Sequence, residues 1–243
     1  MARVLENDGF RRVAFEDKAD VYVINTCSVT ENADKECRQL VRRIQKKAPE
    51  AIVVISGCYA QLKPNDIAAI PGVDLVLGAA EKFNIGSHLK EIAKGDSAKI
   101  CSCDIEDVNI FTSTHSHHDR TRVFLKVQDG CDYNCSFCTI PMARGKSRSN
   151  TIDKVLQDIE NISRTGVQEI VLTGINLGDF GKPSLGDAER SDVFYDLLEA
   201  IDQQAAVPRI RISSIEPNLL ENRIVELTAN SRIIMPHFHI PLQ

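Results

Sequence analysis

The chain alternates short apolar runs with longer stretches of helical period. Residues 19–25, ADVYVIN, form an apolar run rich in β-branched side chains, which predicts a buried strand. Residues 30–48, TENADKECRQLVRRIQKKA, read as a helix that Thr30 can cap, with Leu40, Val41 and Ile44 on one face. A strand follows at AIVVIS (51–56), then a short helix entered by Pro64 at PNDIAAI (64–70). A further strand is predicted at VDLVLG (73–78), and a helix at KFNIGSHLKEIAKG (82–95) ending at Gly95. Such alternation implies a parallel sheet with helices on its faces.

From Gly95 to Arg120 the sequence is polar and has no sustained period, which predicts a linker. A second series begins at Arg122. RVFLKVQ (122–128) alternates as a strand. NTIDKVLQDIENISRTG (150–166) is an amphipathic helix with Ile152, Val155, Leu156, Ile159 and Ile162 on one stripe and Gly166 at its C′ position. EIVLTG (169–174), RIRISSI (209–215) and MPHFHIPL (235–242) read as strands. SDVFYDLLEAI (191–201) and NLLENRIVELTA (218–229) read as helices. The series is that of a partial β/α barrel.

The expected fold class is therefore α/β: a Rossmann-like N-terminal domain over 1–95, a linker over 96–120 and a partial (β/α) barrel over 121–243. The chain starts inside a helix-like stretch, MARVLEND, stopped by Gly9, and stops on a strand with no closing helix. The expectation is of a polypeptide truncated at both ends.

Composition narrows the class. Of 243 residues, 43% are hydrophobic, enough for a packed core. No apolar run approaches the length of a membrane span, and MARVLENDGFRR has no secretory h-region, so the expected location is cytoplasmic. The net charge is −5, so any contact with nucleic acid must be local. Eight cysteines without a signal peptide point to metal binding or thiol chemistry rather than a disulfide scaffold.

The densest cysteine stretch is GCDYNCSFCTIP, residues 130–141. Cys131, Cys135 and Cys138 directly follow a predicted strand, where β/α folds build active sites. Three thiolates on one loop can hold three corners of an iron–sulfur cube and leave one position open for a substrate or cofactor. The alternative is a zinc knuckle with a distant fourth ligand, but zinc favours paired C-x2-C units.

C-x3-C-x2-C after a first barrel strand resembles the radical S-adenosylmethionine (radical SAM) enzymes. The longer string VQDGCDYNCSFCTIPMARGKSRS resembles the methylthiotransferases among them, most of all the MtaB subgroup. The resemblance covers essentially the whole chain. It implies a 4Fe-4S cluster on Cys131, Cys135 and Cys138, with its open iron chelated by SAM. It also implies a tRNA substrate, methylthiolated at C2 of N6-threonylcarbamoyladenosine, and an electron donor such as flavodoxin or ferredoxin. An isopentenyl-adenosine tRNA, a ribosomal-protein aspartate, or a non-catalytic iron–sulfur or zinc-binding fragment are the alternatives.

Cys27 and Cys58 each sit just beyond a predicted parallel strand, so their thiols can converge on one sheet edge. INTCSVT and SGCYAQ resemble two of the three cysteine segments that hold an auxiliary 4Fe-4S cluster in methylthiotransferases. These match the second and third; the first, in an LGCK-N-like turn, has no counterpart in this sequence, and the family's C-terminal RNA-binding TRAM domain has none either.

LTGINLGDFG (172–181) resembles the SAM-binding segment of radical SAM barrels and contributes Thr173, Gly174 and Asn176. RISSIEP (211–217) ends a strand with Ser213 and Glu216, whose carboxylate can accept hydrogen bonds from a ribose or an amine, or cap the next helix. His237 and His239 alternate on the last strand, and HFHIPLQ resembles a family segment. Arg144, Lys146 and Arg148 form a basic loop beside the cysteines, suited to RNA phosphates. A second basic stretch, RQLVRRIQKK, reads equally as a solvated helix face. Cys37 is expected as a partly exposed helix cysteine, Cys101 and Cys103 as surface thiols, and HSHH (115–118) as solvated linker.

Overall fold

The computed structural model describes residues 1–26, 31–95, 97–108, 110–116, 122–182 and 193–241, with the side chains of 31–34 excepted. The chain forms two compact units: Met1–Val108 with Ser136–Arg144, and Asn109–Cys135 with Gly145–Gln243.

In the first unit, β1 (Val21–Thr26), β2 (Ile52–Gly57), β3 (Leu75–Leu77) and β4 (Lys99–Cys101) form an all-parallel sheet in the order β1-β2-β3-β4. The apolar runs are strands because both faces are covered. One face packs Tyr22, Val53, Ile55 and Val76 against Cys37, Val41 and Ile44 of α2 (Glu31–Lys47) and Ile67 of α4 (Pro64–Ala68). The other packs Val54, Leu75 and Leu77 against Ile85 and Leu89 of α5 (Ile85–Glu91), with Val4 and Leu5 of α1 (Ala2–Asn7) beside them. Each such side chain, fully buried, contributes roughly 1.5–3 kcal/mol.

Two expectations change here. Cys37 is 2% exposed, because Cys37, Val41 and Ile44 recur at i, i+4 and i+7 and face the sheet together. Residues 99–101 are a strand: Lys99 N–H donates to the Asp74 carbonyl at 2.8 Å and Gly78 N–H to that of Cys101 at 2.9 Å. Three residues carry no readable period, so the sequence suggested only a linker.

Two helices that the sequence did not signal belong to this unit: α6 (Ile140–Arg144), and α3 (Cys58–Leu62), which starts directly at the end of β2. Gly57 makes the junction possible. Its φ is +108°, and a Cβ there would lie 2.2 Å from the Thr26 carbonyl oxygen.

The second unit is built on β6 (Val123–Lys126), β9 (Glu169–Thr173) and β10 (Arg209–Ile212), mutually parallel, with β5 (Thr114–His115) antiparallel on the outer edge of β6. β5 is a second strand inside the expected linker. β7 (Gln128–Asp129) and β8 (Arg148–Ser149) pair as a separate antiparallel ribbon. α7 (Ile152–Ser163) is capped by Thr151, whose Oγ1 accepts from Lys154 N–H at 3.3 Å. It buries Val155, Ile159 and Ile162 against Val123, Leu125, Ile170 and Leu172 of the sheet. α8 (Phe194–Gln204) adds Phe194, Leu197, Leu198 and Ile201, and α9 (Asn222–Asn230) adds Ile224.

Over the described part of the expected strand 235–242 there is one isolated parallel bridge, Ser214 with His239, and a second, Ile210 with Ile234, lies just before it. Pro236 and Pro241 have no N–H to offer a ladder, and a tight turn closes around Pro236 as His237 N–H donates to Met235 O at 2.7 Å. At the opposite end of the sheet from the cysteine loop, Glu169 opens β9 with its carboxylate among Arg211 (3.1 Å), Arg209 (3.4 Å) and Arg122 (3.5 Å).

Candidate functional site

β6 delivers the chain to the cysteine loop at the C-terminal end of the second sheet. Val123, Leu125 and Val127 point into the core, and then the alternation stops: Gln128, Asp129 and Gly130 are all buried as well. Gly130 has φ +75°, and a Cβ on it would sit 2.0 Å from the Lys146 carbonyl oxygen. Cys131 N–H donates to the Gly145 carbonyl at 3.0 Å, and Asp132 Oδ1 accepts Ser147 N–H at 2.9 Å. The basic loop thus fastens the start of the cysteine loop.

Cys131, Cys135 and Cys138 are each half-buried and none is in a disulfide. Cys131 and Cys135 belong to the second unit, while Cys138 belongs to the segment that counts with the first. Among the described residues, no three His, Cys, Asp or Glu side chains are gathered so as to hold a metal. The donor set nonetheless has the right chemistry for an iron–sulfur cluster: three unbridged, half-buried thiols within eight residues of a loop that is neither helix nor strand.

The residue that organises the site is one the sequence reading did not single out. Gln128 is fully buried, and its amide touches three loops. Nε2 donates to the Gly130 carbonyl at 2.8 Å and to Ser147 Oγ at 2.9 Å. Oε1 accepts the N–H groups of Ile175 and Asn176 at 2.8 and 3.0 Å. The cysteine, basic and glycine-rich loops therefore share one side chain. The signal was the break in alternation at 127–128, a buried polar residue where the strand's outward position was due.

The predicted SAM-loop residues are placed as follows. Thr173 ends β9, and its carbonyl accepts Val127 N–H at 2.9 Å. Gly174 has no room for a Cβ, which would meet Gln128 Oε1 at 2.7 Å. Asn176 is 2% exposed and ties this loop to the next: its Oδ1 accepts Glu216 N–H at 3.2 Å, and Leu177 N–H donates to Ser214 O at 2.9 Å. Ser213 and Glu216 are half-buried, and Glu216 precedes a short 3-10 turn rather than the N-terminus of α9, which Glu221 occupies. His239 is exposed, with Nδ1 2.9 Å from Ser214 Oγ. His237 is exposed too.

A charged group on the glycine-rich loop was also missed. Asp179 is 1% exposed, pairs with Lys182 and accepts Asn176 Nδ2–H at 3.2 Å. Burial pushes its carboxyl above the ordinary value despite Lys182, with Asp132 adding like charge. Lys182 in turn lies 5.0 Å from the centroid of Tyr133, on the cysteine loop. Burial works against its charge, but Asp179 raises it above the ordinary value.

The basic loop divides. Lys146 is exposed and Arg144 half-buried. Arg148, which the sequence grouped with them for RNA phosphates, is 6% exposed, its guanidinium 3.6 Å from the Asp129 carboxylate and donating to the carbonyls of Lys146 (3.1 Å) and Ile110 (3.3 Å). Buried Asp129 thus faces two cations, Lys126 at 3.0 Å and Arg148 at 3.6 Å, and the Arg148 guanidinium is turned inward to it. Cys58 opens α3, half-buried. Cys27, Thr30, His117 and His118 lie outside the described residues.

Comparison with known proteins fits this architecture. Residues 1–78 match the uncharacterized protein family UPF0004, and residues 125–243 match the radical SAM superfamily. The chain is 37% identical to the threonylcarbamoyladenosine tRNA methylthiotransferase MtaB of Bacillus subtilis over 99% of its own length and 53% of that protein. It is likewise 37% identical to that of Aquifex aeolicus, over 97% of this chain and 56% of the relative. With the tRNA-2-methylthio-N(6)-dimethylallyladenosine synthase of Chlorobium limicola the identity is 28%, over 100% of this chain and 54% of the relative. The chain thus spans about half the length of the curated relatives it matches. Among solved structures, the radical SAM methyltransferase TsrM of Kitasatospora setae, with cobalamin and a 4Fe-4S cluster bound, shares the fold with a TM-score of 0.63 at 15% identity, over 98% of this chain and 51% of that one. Among the described residues, no helix is long and apolar enough to cross a membrane. By its two family matches and its MtaB relatives, the chain belongs to the methylthiotransferase family of the radical SAM superfamily, in the MtaB subgroup.

Proposed function

We propose that this chain serves the methylthiolation of C2 of N6-threonylcarbamoyladenosine in tRNA. The observation that carries the reading is the 37% identity to a threonylcarbamoyladenosine tRNA methylthiotransferase along 99% of the chain. Cys131, Cys135 and Cys138 would hold a 4Fe-4S cluster whose open iron takes SAM, and Cys27 and Cys58 would hold corners of an auxiliary cluster. When bound, the cluster and SAM supply the electron and the radical that open the C–H bond at C2.

The residues of the chain bind and position. Thr173, Gly174, Asn176, Ser213, Glu216 and His239 lie on the loops that would receive SAM, and Gln128 and Asn176 fix those loops relative to one another. Such fixing matters because a misplaced reacting atom loses most of the benefit of proximity. Lys182 places a cation beside Tyr133 of the cysteine loop. Lys146 and Arg144 would take RNA phosphates. An external donor such as flavodoxin or ferredoxin would supply the electron, in the cytoplasm.

The test is anaerobic reconstitution with iron and sulfide, followed by iron analysis, 5′-deoxyadenosine release from SAM with dithionite, and nucleoside analysis of tRNA. About eight irons per chain are expected with both clusters and about four with one. Cys135→Ala should abolish 5′-deoxyadenosine, whereas Cys58→Ala should spare it and stop methylthiolation. Continued SAM cleavage by the Cys135 variant would overturn the site assignment.

A further inference from the structure

Away from that site, three elements of the first unit bring together a thiol, an imidazole and a carboxylate in series. Cys101 ends β4, and its Sγ lies 3.7 Å from Nδ1 of His88 in α5. The other ring nitrogen, Nε2, lies 2.9 Å from Oε2 of Glu81, in the 3-10 turn Glu81–Phe83. Asn84 Nδ2–H donates to the same Glu81 oxygen at 3.1 Å and holds the carboxylate in place.

The tautomer follows. An ionised carboxylate only accepts, so His88 Nε2 carries the hydrogen and Nδ1 turns its lone pair to the thiol. His88 holds the Glu81 carboxyl below its ordinary value, so the acceptor stays ionised at neutral pH. Burial raises the Cys101 thiol, with Glu81 and Glu91 adding to the effect and Lys99 opposing it. Lys99 is itself paired with Glu91 at 3.1 Å. The sulfur therefore keeps its proton at neutral pH, and a base beside it governs whether it reacts. Cys103, two residues on, is exposed, but among the described residues no such base is placed beside it.

We propose that Cys101 is a thiol-exchange site for small disulfides of the glutathione class, with His88 as its base and Glu81 as the group that orients His88. His88 Nδ1 takes the Cys101 proton as Sγ attacks one sulfur of the disulfide. The S–S bond breaks, a mixed disulfide forms on Cys101, and the departing thiolate takes the proton from His88. Cys101 is oxidised to the disulfide level and the leaving thiol is the reduced product.

The experiment is to incubate the chain with glutathione disulfide, quench with acid, and follow each cysteine by fragment-ion peptide mapping. Cys101 should be modified faster than Cys103, against the order of exposure. His88→Gln should slow Cys101 by roughly tenfold or more, leaving the Cys103 rate unchanged. Glu81→Gln should slow Cys101 several-fold by freeing the tautomer. Cys37, 2% exposed, reports unfolding. If His88→Gln exposes Cys37, that variant has lost its fold and Glu81→Gln decides. The proposal falls if Cys101 reacts no faster than Cys103, or if its rate ignores the substitutions while Cys37 stays protected.

Discussion

The side-chain oxygen of Gln128 accepts the backbone N–H of Asn176 at 3.0 Å, across 48 positions of sequence. That contact joins the strand that enters the cysteine loop to the loop that would receive SAM. Removing it in Gln128→Ala strands two donors, Ile175 N–H and Asn176 N–H, and each buried unpaired group costs about 1–3 kcal/mol. Gln128→Glu keeps the acceptor but loses the donors to Gly130 and Ser147. The Ala variant is therefore expected to melt lower and bind SAM more weakly. The Glu variant should retain more of its SAM affinity while reconstituting less iron. Differential scanning calorimetry and titration of SAM into the reconstituted protein check both halves. Equal losses in the two variants would mean that the amide acts as plain packing.

Glu169 provides a pH-dependent contribution at the other end of the same sheet, where it opens β9. Burial opposes its ionisation, but Arg211, then Arg122 and Arg209, hold its carboxyl below the ordinary 4.5. A carboxylate depressed in the fold stabilises it above the unfolded value, and that contribution is lost as pH falls through the folded one. The Arg partners are partly exposed, so screening limits the effect to about 1–2 kcal/mol. Glu169→Gln should lower the melting temperature at pH 7, and the gap to wild type should close as pH falls below 4.5 through the depressed folded value. A gap that persisted in acid would assign the effect to packing.

Gly130→Ala tests the tight approach at the mouth of the cysteine loop. The added Cβ would stand 2.0 Å from the Lys146 carbonyl oxygen at a φ of +75°. Backbone must shift, at a cost of roughly 1–3 kcal/mol. The cysteine loop moves with it, so iron uptake on reconstitution should fall more steeply than melting temperature. Iron content and a thermal melt on one preparation separate these effects, and unchanged iron would show that the loop adapts.

What the sequence revealed depended on length and period. β1, β2, β9 and β10 were legible because each apolar run is short, β-branched and bounded, and α2 and α7 because their stripes span several turns. β4 and β5 were not, since three and two residues cannot display a period. The run at 235–242 looked like a strand, but Pro236 and Pro241 remove ladder donors and leave an isolated bridge. In the candidate site, Cys131, Cys135 and Cys138 were singled out by their spacing, an assignment left to the reconstitution experiment. Gln128, Asp179 and Lys182 did not, because their roles come from contacts made only when separate loops converge. Cys37 was misread because its stripe with Val41 and Ile44 was started one turn too late.

The basic loop gives the sharpest contrast between sequence and structure. Lys146 and Arg148 are two residues apart and read alike, yet Lys146 is exposed while Arg148 is 6% exposed against Asp129. If Lys146 meets RNA phosphate, Lys146→Ala should weaken tRNA binding and reduce the slope of log affinity against log salt by about one. Its melting temperature should not change. Arg148→Ala should leave the salt slope alone and lower stability, by about 2 kcal/mol because Lys126 still neutralises Asp129 at 3.0 Å. Filter binding over a salt series, with melts of both variants, decides the matter. A changed slope with an unchanged melt in Arg148→Ala would mean that this side chain turns outward to the RNA.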